Sequence, residues 1–290
     1  SPAPAPQGIT GMAHNYSNGD IFQSITVEPG EFGPGTYTIV LQWEDPIYSL
    51  GQSTGTQNDL DIYLTNDTGA TLFGFNRNNL NGDPIEVLPF TVNALTSTNI
   101  MIVRAAGSDD VHFKYIVFRG DKLTFNEHNT NSSTIVGQAN AKGAITVGAV
   151  LYSNTEAFGY NRPTGAEEFT VASFSSIGGT KVNGEQVARN KPDVIAPNGV
   201  NTTVTLGGLN VDLDLPAGKD IDPIFYNFFG TSAAAPHAAA VAALLQEARA
   251  KYYNGSTYTP EDIRQVLKGS ALDMHDPGFD FKSGAGFIQA

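Results

Sequence analysis

A serine and a histidine stand five positions apart in the run Gly230-Thr-Ser-Ala-Ala-Ala-Pro-His237, at the head of an alanine-rich apolar stretch. A hydroxyl on the first turn of a long helix is placed for nucleophilic attack. The helix holds the side chain rigidly, and the backbone N–H of Ser232 is one of the first-turn donors that no helical carbonyl satisfies. At the positive end of the helix dipole such a donor can hold a developing oxyanion. Gly230 keeps a side chain out of the way of an approaching substrate. Pro236 is expected near the first turn, where its missing N–H costs least. In isolation a Thr-Ser pair before a helix is an ordinary cap, so the surroundings must decide.

The elements that position this run fall into two halves. From about Asp20 to Gly120 the pattern is all-β. Strands are expected at Ile21–Val27, Tyr37–Trp43, Leu60–Thr65, Thr71–Phe75, Ile85–Val92, Ile100–Arg104 and Val111–Phe118. Several alternate apolar and polar residues, and Pro/Gly or Asn/Asp turns separate them. Seven short strands at this spacing predict a β-sandwich or jelly roll. After about Asp121 the period changes. Ala144–Val150 is a continuous apolar run of the doubly buried kind, with shorter strands expected at Phe169–Phe174 and Asp193–Ala196. A helix is expected over Thr231–Tyr252, with Ala234, Ala238, Val241, Leu244, Leu245 and Ala248 facing a core. A second begins at Thr259-Pro-Glu-Asp262, capped by Thr259. The fold class is therefore α/β plus all-β. Residues 1–19 form a linker or the start of the sandwich, 20–120 the sandwich and 121–290 the α/β part.

Composition narrows the chemistry. The 290 residues carry 16 Lys+Arg against 29 Asp+Glu, a formal charge of −13, which argues against nucleic acid as a partner. There is no cysteine, which excludes disulfides, thiolate catalysis and cysteine-ligated zinc. The longest apolar run, Ala238–Leu245, is far too short for a membrane span. The opening Ser1-Pro-Ala-Pro-Ala-Pro6 is extended and linker-like, as at the cut end of something longer.

Gly230-Thr-Ser232, Ala234 and Pro236 together resemble the nucleophile signature of subtilisin-like serine proteases. The flanks agree in order and spacing. Lys142–Ala149 resembles the family's buried strand, and Ala172-Ser-Phe-Ser-Ser176 its Phe-Ser-Ser turn. Lys191-Pro-Asp-Val-Ile-Ala-Pro197 resembles its Lys-Pro-Asp loop, and Gly284-Ala-Gly-Phe-Ile288 its closing glycine segment. The resemblance runs from about Thr134 to the C-terminus. It implies that Ser232 is the nucleophile of a secreted endopeptidase working through an acyl-enzyme. The Ser232 N–H would be half of the oxyanion hole, with Gly230, Thr231 and Pro236 as supporting motif residues. Two positions depart from the pattern. Asn198 intervenes before Gly199, and Ala240 replaces a helix glycine while remaining small.

The partners of the serine are missing. None of the five histidines precedes a glycine, as the family's base does, and His237 matches a helix position that the family uses structurally. Asp67-Thr-Gly69 matches the family's aspartate motif literally but lies between two strands, where a hairpin turn is expected. Ala105-Ala-Gly107 lacks the asparagine that would complete the oxyanion hole. The resemblance thus implies the C-terminal part of a doubly wound, parallel-sheet catalytic domain. The preceding β-sandwich resembles pre-peptidase C-terminal domains through Asp59-Leu-Asp-Ile-Tyr-Leu64, and would be an insertion into that catalytic domain. The triad Asp and His would come from a missing N-terminal half, leaving this chain inactive alone. Expected partners are that half and a protein or peptide substrate, in an extracellular or cell-surface setting.

No cofactor is required by this chemistry. Asp59 and Asp61 point to one strand face and, with Glu44 and Asp45, are candidates for a structural calcium site. A different reading is a non-catalytic surface or adhesion protein whose β-sandwich binds protein or glycan.

Overall fold

A computed structural model describes residues 1–6, 8–30, 33–51, 54–119, 122–129, 133–155, 169–182, 185–203 and 226–289. They form two compact units, Ser1–Thr130 and Asn131–Ala290.

The first unit is built from β1 (Ala3–Pro4), β2 (Met12–Ala13), β3 (Gln23–Val27), β4 (Gly35–Trp43), β5 (Asp59–Thr65), β6 (Thr71–Phe75), β7 (Ile85–Val92), β8 (Thr96–Ala106), β9 (Phe113–Arg119) and β10 (Leu123–Phe125). All pairings are antiparallel. One sheet runs β1-β2-β8-β3-β10, with β5 on β8 and β6 on β5, and the other runs β7-β4-β9. Alternation explains why the sheets meet. Tyr37, Ile39, Leu41 and Trp43 of β4 face inward and join Ile25, Val27, Leu60, Ile62, Leu64, Leu88, Ile100 and Ile102 in one core. Burying each aliphatic side chain of this kind contributes about 1.5–3 kcal/mol.

Two expectations shift at the edges. Ile21 and Phe22 precede β3 rather than forming it. They pack with Ala5 and Ile9 against Tyr63, Met101 and Val103, so their apolarity covers the opposite face of the larger sheet. The Pro/Ala opening is not a free linker over Ala3–Pro4, which pairs with Met12–Ala13. Asp67-Thr-Gly69 is the expected turn between β5 and β6. Asn66 Oδ1 accepts the Thr68 and Ala70 N–H groups at 3.0 and 2.9 Å.

Two acids in this unit are buried without full hydrogen bonding. Glu86 is fully buried, neither oxygen has a well-formed hydrogen bond among the described residues, and Arg77 Nε lies 3.8 Å from Oε1. Burial pushes its carboxyl up to about 7, against the pull of Arg77 and with Asp61 and Asp59 adding to the rise. Burial likewise lifts Asp61 to about 6, despite the hydrogen bond from the Tyr63 hydroxyl. Both groups hold their protons more tightly when folded than when unfolded. The stability they contribute is complete below about pH 4 and is lost as pH rises through 6–7. Glu86→Gln is therefore expected to stabilise the chain by on the order of 2 kcal/mol at pH 8 and by little at pH 4. Thermal melts at the two pH values check this; an equal shift at both would contradict it.

The second unit centres on a parallel pair, β11 (Val147–Leu151) and β12 (Val194–Asn198), in register from Val147↔Val194 to Leu151↔Asn198. The antiparallel pair β13 (Val200–Thr202) and β14 (Tyr226–Phe228) follows, then α1 (Thr231–Tyr252) and α2 (Pro260–Ser270). Small residues let α1 lie close to the strands: Ala234 and Ala238 share a core with Ala149, Val194 and Ala196. Ile263 and Leu267 of α2 close it, and Thr259 caps α2 in a reciprocal pair with Asp262. The closing segment continues the pairing. Ile195 N–H donates to the Gly286 carbonyl and Ile288 N–H to the Ile195 carbonyl, at 2.8 and 2.9 Å. Gly286 has φ 111°, and a Cβ there would meet the Leu272 carbonyl, so the position demands glycine.

Three expectations fail here for identifiable reasons. The apolar run from Ala144 becomes strand only at Val147. Before that, the Ala144 carbonyl receives Lys191 Nζ and Arg264 Nη2, and the Thr146 N–H donates to Asp193 Oδ2 at 2.8 Å. Phe169–Phe174 is not a strand. It contributes a single bridge at Val171, after which Ser175 Oγ accepts the Ala149 N–H at 2.9 Å and so caps β11 from the side. Leu244 and Ala248 of α1 are exposed rather than turned to the core, as is Ala240.

Candidate active site

Ser232 is the second residue of α1 and is exposed. The helix starts from Gly230, whose φ of 106° and ψ of 168° suit only glycine, with no side chain capping the turn. The Gly230 carbonyl accepts the Ala233 and Ala234 N–H groups at 2.9 and 3.3 Å. Among the described residues nothing bonds the Ser232 N–H or its hydroxyl. An exposed hydroxyl and a donor with no partner among the described residues therefore sit together at the positive end of a 22-residue helix. That pairing suits nucleophilic attack with oxyanion stabilisation.

Pro236 corrects the expectation of a first-turn position: it is the sixth helical residue and lies inside α1. It has no N–H to give the Ser232 carbonyl, and its ring crowds that carbonyl. The Ser232 carbonyl is thus released from the helix ladder. Thr231 is partly buried beside it.

The support beneath Gly230 comes from Asn198, which the sequence presented only as an interruption of the Lys-Pro-Asp loop. Asn198 ends β12 and is completely buried; its Oδ1 accepts the Gly230 N–H at 3.4 Å. Its Nδ2 has no partner. Asn227 Nδ2 donates to the Gly199 carbonyl at 2.8 Å, and the Gly199 N–H donates to the Phe228 carbonyl at 2.9 Å. These bonds fix the backbone that delivers Phe229-Gly230 to the helix. Phe229 is 37% exposed. A polar side chain ending a buried strand was the available signal for Asn198.

The Lys191-Pro-Asp193 motif is an anchor for β12. Lys191 Nζ lies 2.7 Å from Asp193 Oδ2, and Arg264 Nε lies 3.4 Å from Asp193 Oδ1; both Lys191 and Asp193 are buried. The pair thereby ties β12 to α2 and to the start of β11.

Among the described residues of this unit no base meets Ser232. His237 Nδ1 bonds the Ala233 carbonyl at 2.8 Å, the structural role expected of it, and the Val171 N–H donates to His275 Nε2 at 3.4 Å. In the first unit, His112 pairs with Glu44 at 3.1 Å on an exposed turn. The carboxylates of the calcium candidates accept protein hydrogen bonds. Asp45 Oδ2 accepts from Thr56, Gln57 and Asn58, Asp59 Oδ1 accepts the Asn79 N–H, and Asp61 Oδ2 accepts the Tyr63 hydroxyl.

The model of the subtilase family, Peptidase_S8, matches residues 48–286. The chain belongs to the subtilase family. The match starts inside the first compact unit and runs on through Ser232. Among solved structures, the Clostridium perfringens CspB protease superposes with a TM-score of 0.54 at 15% identity, over 93% of this chain and 53% of that one. A lanthipeptide protease matches at 24% identity over 52% of this chain and 40% of its own, with a TM-score of 0.34. The chain thus spans about half the length of the CspB structure. No curated protein matches it.

Proposed function

We propose that this chain is the nucleophile-bearing part of a secreted subtilisin-like serine endopeptidase and that Ser232 is the nucleophile. The observation that carries this reading is the exposed hydroxyl of Ser232 beside its own unsatisfied N–H on the first turn of α1. Ser232 Oγ attacks the carbonyl carbon of a peptide, and its proton passes to an imidazole supplied by sequence outside this chain. The Ser232 N–H donates to the oxyanion of the tetrahedral intermediate. The C–N bond then breaks as the amine leaves with that proton, and water hydrolyses the acyl-enzyme through the same base.

The triad Asp and His and the second oxyanion donor are assigned to the upstream half of the catalytic domain. Two observations support this assignment. The unit's own histidines are occupied elsewhere. The α1 face formed by Ala235, Ala239, Ala240, Ala243 and Leu244 is exposed, which suits burial under a further layer of the same domain. In this reading the first unit is a β-sandwich inserted into the catalytic domain, and the protein acts outside the cell or at its surface.

Peptide hydrolysis by residues 1–290 alone and by the full-length protein tests the assignment. Turnover is expected from the full-length protein and none from the isolated chain. Hydrolysis by the isolated chain that Ser232→Ala removes would overturn it.

A further inference from the structure

We propose that Asp20, Glu127 and His128 form a site for a divalent metal ion of the zinc class, independent of the chemistry at Ser232. Among the described residues they are the group whose His and carboxylate ligand atoms all lie within 4.8 Å of one another. His128 Nε2 is 3.1 Å from Asp20 Oδ2. An ion at ordinary zinc distances from both atoms would subtend an angle of roughly 100° between them, within the range of four-coordinate geometry.

The ligands are already oriented. Asp20 Oδ1 accepts the Phe22 N–H at 3.0 Å, and Glu127 Oε1 accepts the Ser24 N–H at 2.9 Å. Each carboxylate is thus aimed by backbone, and Asp20 turns its second oxygen, Oδ2, to His128 Nε2, so the two groups already face one another. The Tyr16 ring stacks on the His128 imidazole, with centroids 5.1 Å apart and planes 14° from parallel.

The backbone that carries Glu127 and His128 is itself tied to β3. Gln23 is buried, and its Nε2 donates to the Glu127 carbonyl at 3.0 Å. Its Oε1 has no hydrogen-bond partner among the described residues. The donor set defines the class of ion. One imidazole nitrogen with two carboxylates suits zinc and its first-row neighbours, whereas calcium and magnesium take oxygen ligands. His128 and Asp20 keep some exposure, which leaves room for water to complete the coordination.

The position gives the ion a task. Asp20 lies just before β3 and Glu127-His128 just after β10, and those strands pair over only three residues. Asp20 and His128 are 108 residues apart in sequence, so an ion held by both closes nearly the whole first unit and ties its two ends together.

Calorimetric titration of the metal-stripped 290-residue chain with zinc chloride tests this, with the visible spectrum of the cobalt form as a second readout. One saturable zinc ion per chain and a higher melting temperature with zinc are expected. His128→Gln and Asp20→Asn are each expected to weaken binding at least about tenfold and to remove the melting shift. Asp110→Asn, an exposed acid elsewhere in this −13 chain, should leave both unchanged. The cobalt spectrum of the unmodified chain should report nitrogen coordination without relying on any variant. Absence of saturable zinc binding by the unmodified chain, or binding that survives both ligand substitutions, would overturn the site.

Discussion

Ser232→Ala in the full-length protein is expected to lower kcat for peptide hydrolysis by a factor on the order of 10⁴ or more while leaving the melting temperature nearly unchanged. The asymmetry follows from the geometry. Ser232 is exposed, and its hydroxyl bonds nothing among the described residues, so its removal costs the fold little. Every step of the proposed acyl transfer passes through that hydroxyl. Alanine is also compatible with the helix, so the variant tests chemistry rather than folding. Parallel kinetics and melting curves check the split. A loss below about tenfold in kcat would place the nucleophile elsewhere.

Asp193→Ala is expected to do the reverse, with a loss of about 3–5 kcal/mol in stability. The substitution leaves the Lys191 ammonium buried without its carboxylate and removes the partner of the Arg264 guanidinium as well. It also strips the acceptor from the Thr146 N–H, which holds the approach to β11. At about 2–4 °C per kcal/mol for a chain of this size, the melting temperature should fall by roughly 10 °C. The effect should reach the site, because β12 ends in Asn198 and Asn198 holds the Gly230 N–H. Replacing Lys191 and Asp193 together by Met and Leu is expected to recover part of the loss, since no charge is then left stranded at that pair. A single-variant loss under 1 kcal/mol would mean that the motif does not anchor the strand.

The sequence carries the site unevenly, and the reason is locality. The bounds of α1 and the start of α2 were legible almost to the residue, and for α2 this is because a capping Thr259 and a proline at the first position act within one turn. The hairpin around Asp67-Thr-Gly69 was legible for the same reason. What stayed hidden depends on distant partners. Ala144–Thr146 has strand-like residues, but their backbone groups go to Lys191, Asp193 and Arg264, up to 120 positions away. Phe169–Phe174 has strand-like residues, yet it makes a single bridge at Val171, and Ser175 after it caps β11. Leu244 fits the apolar stripe by period and still faces outward, because period alone does not say which face has a neighbour. Asn198 looked like a departure from a loop pattern and proves to support the start of α1. The Asp20–His128 contact joins residues 108 positions apart, and no spacing rule reaches that far.

The most direct test of the central claim is covalent labelling of the native full-length protein with a serine-directed fluorophosphonate, followed by mapping of the modified residue by mass spectrometry. A single adduct on Ser232, absent after denaturation and absent from residues 1–290 alone, is the predicted result. An adduct on a different serine, or active hydrolysis with Ser232 unmodified, would contradict the account.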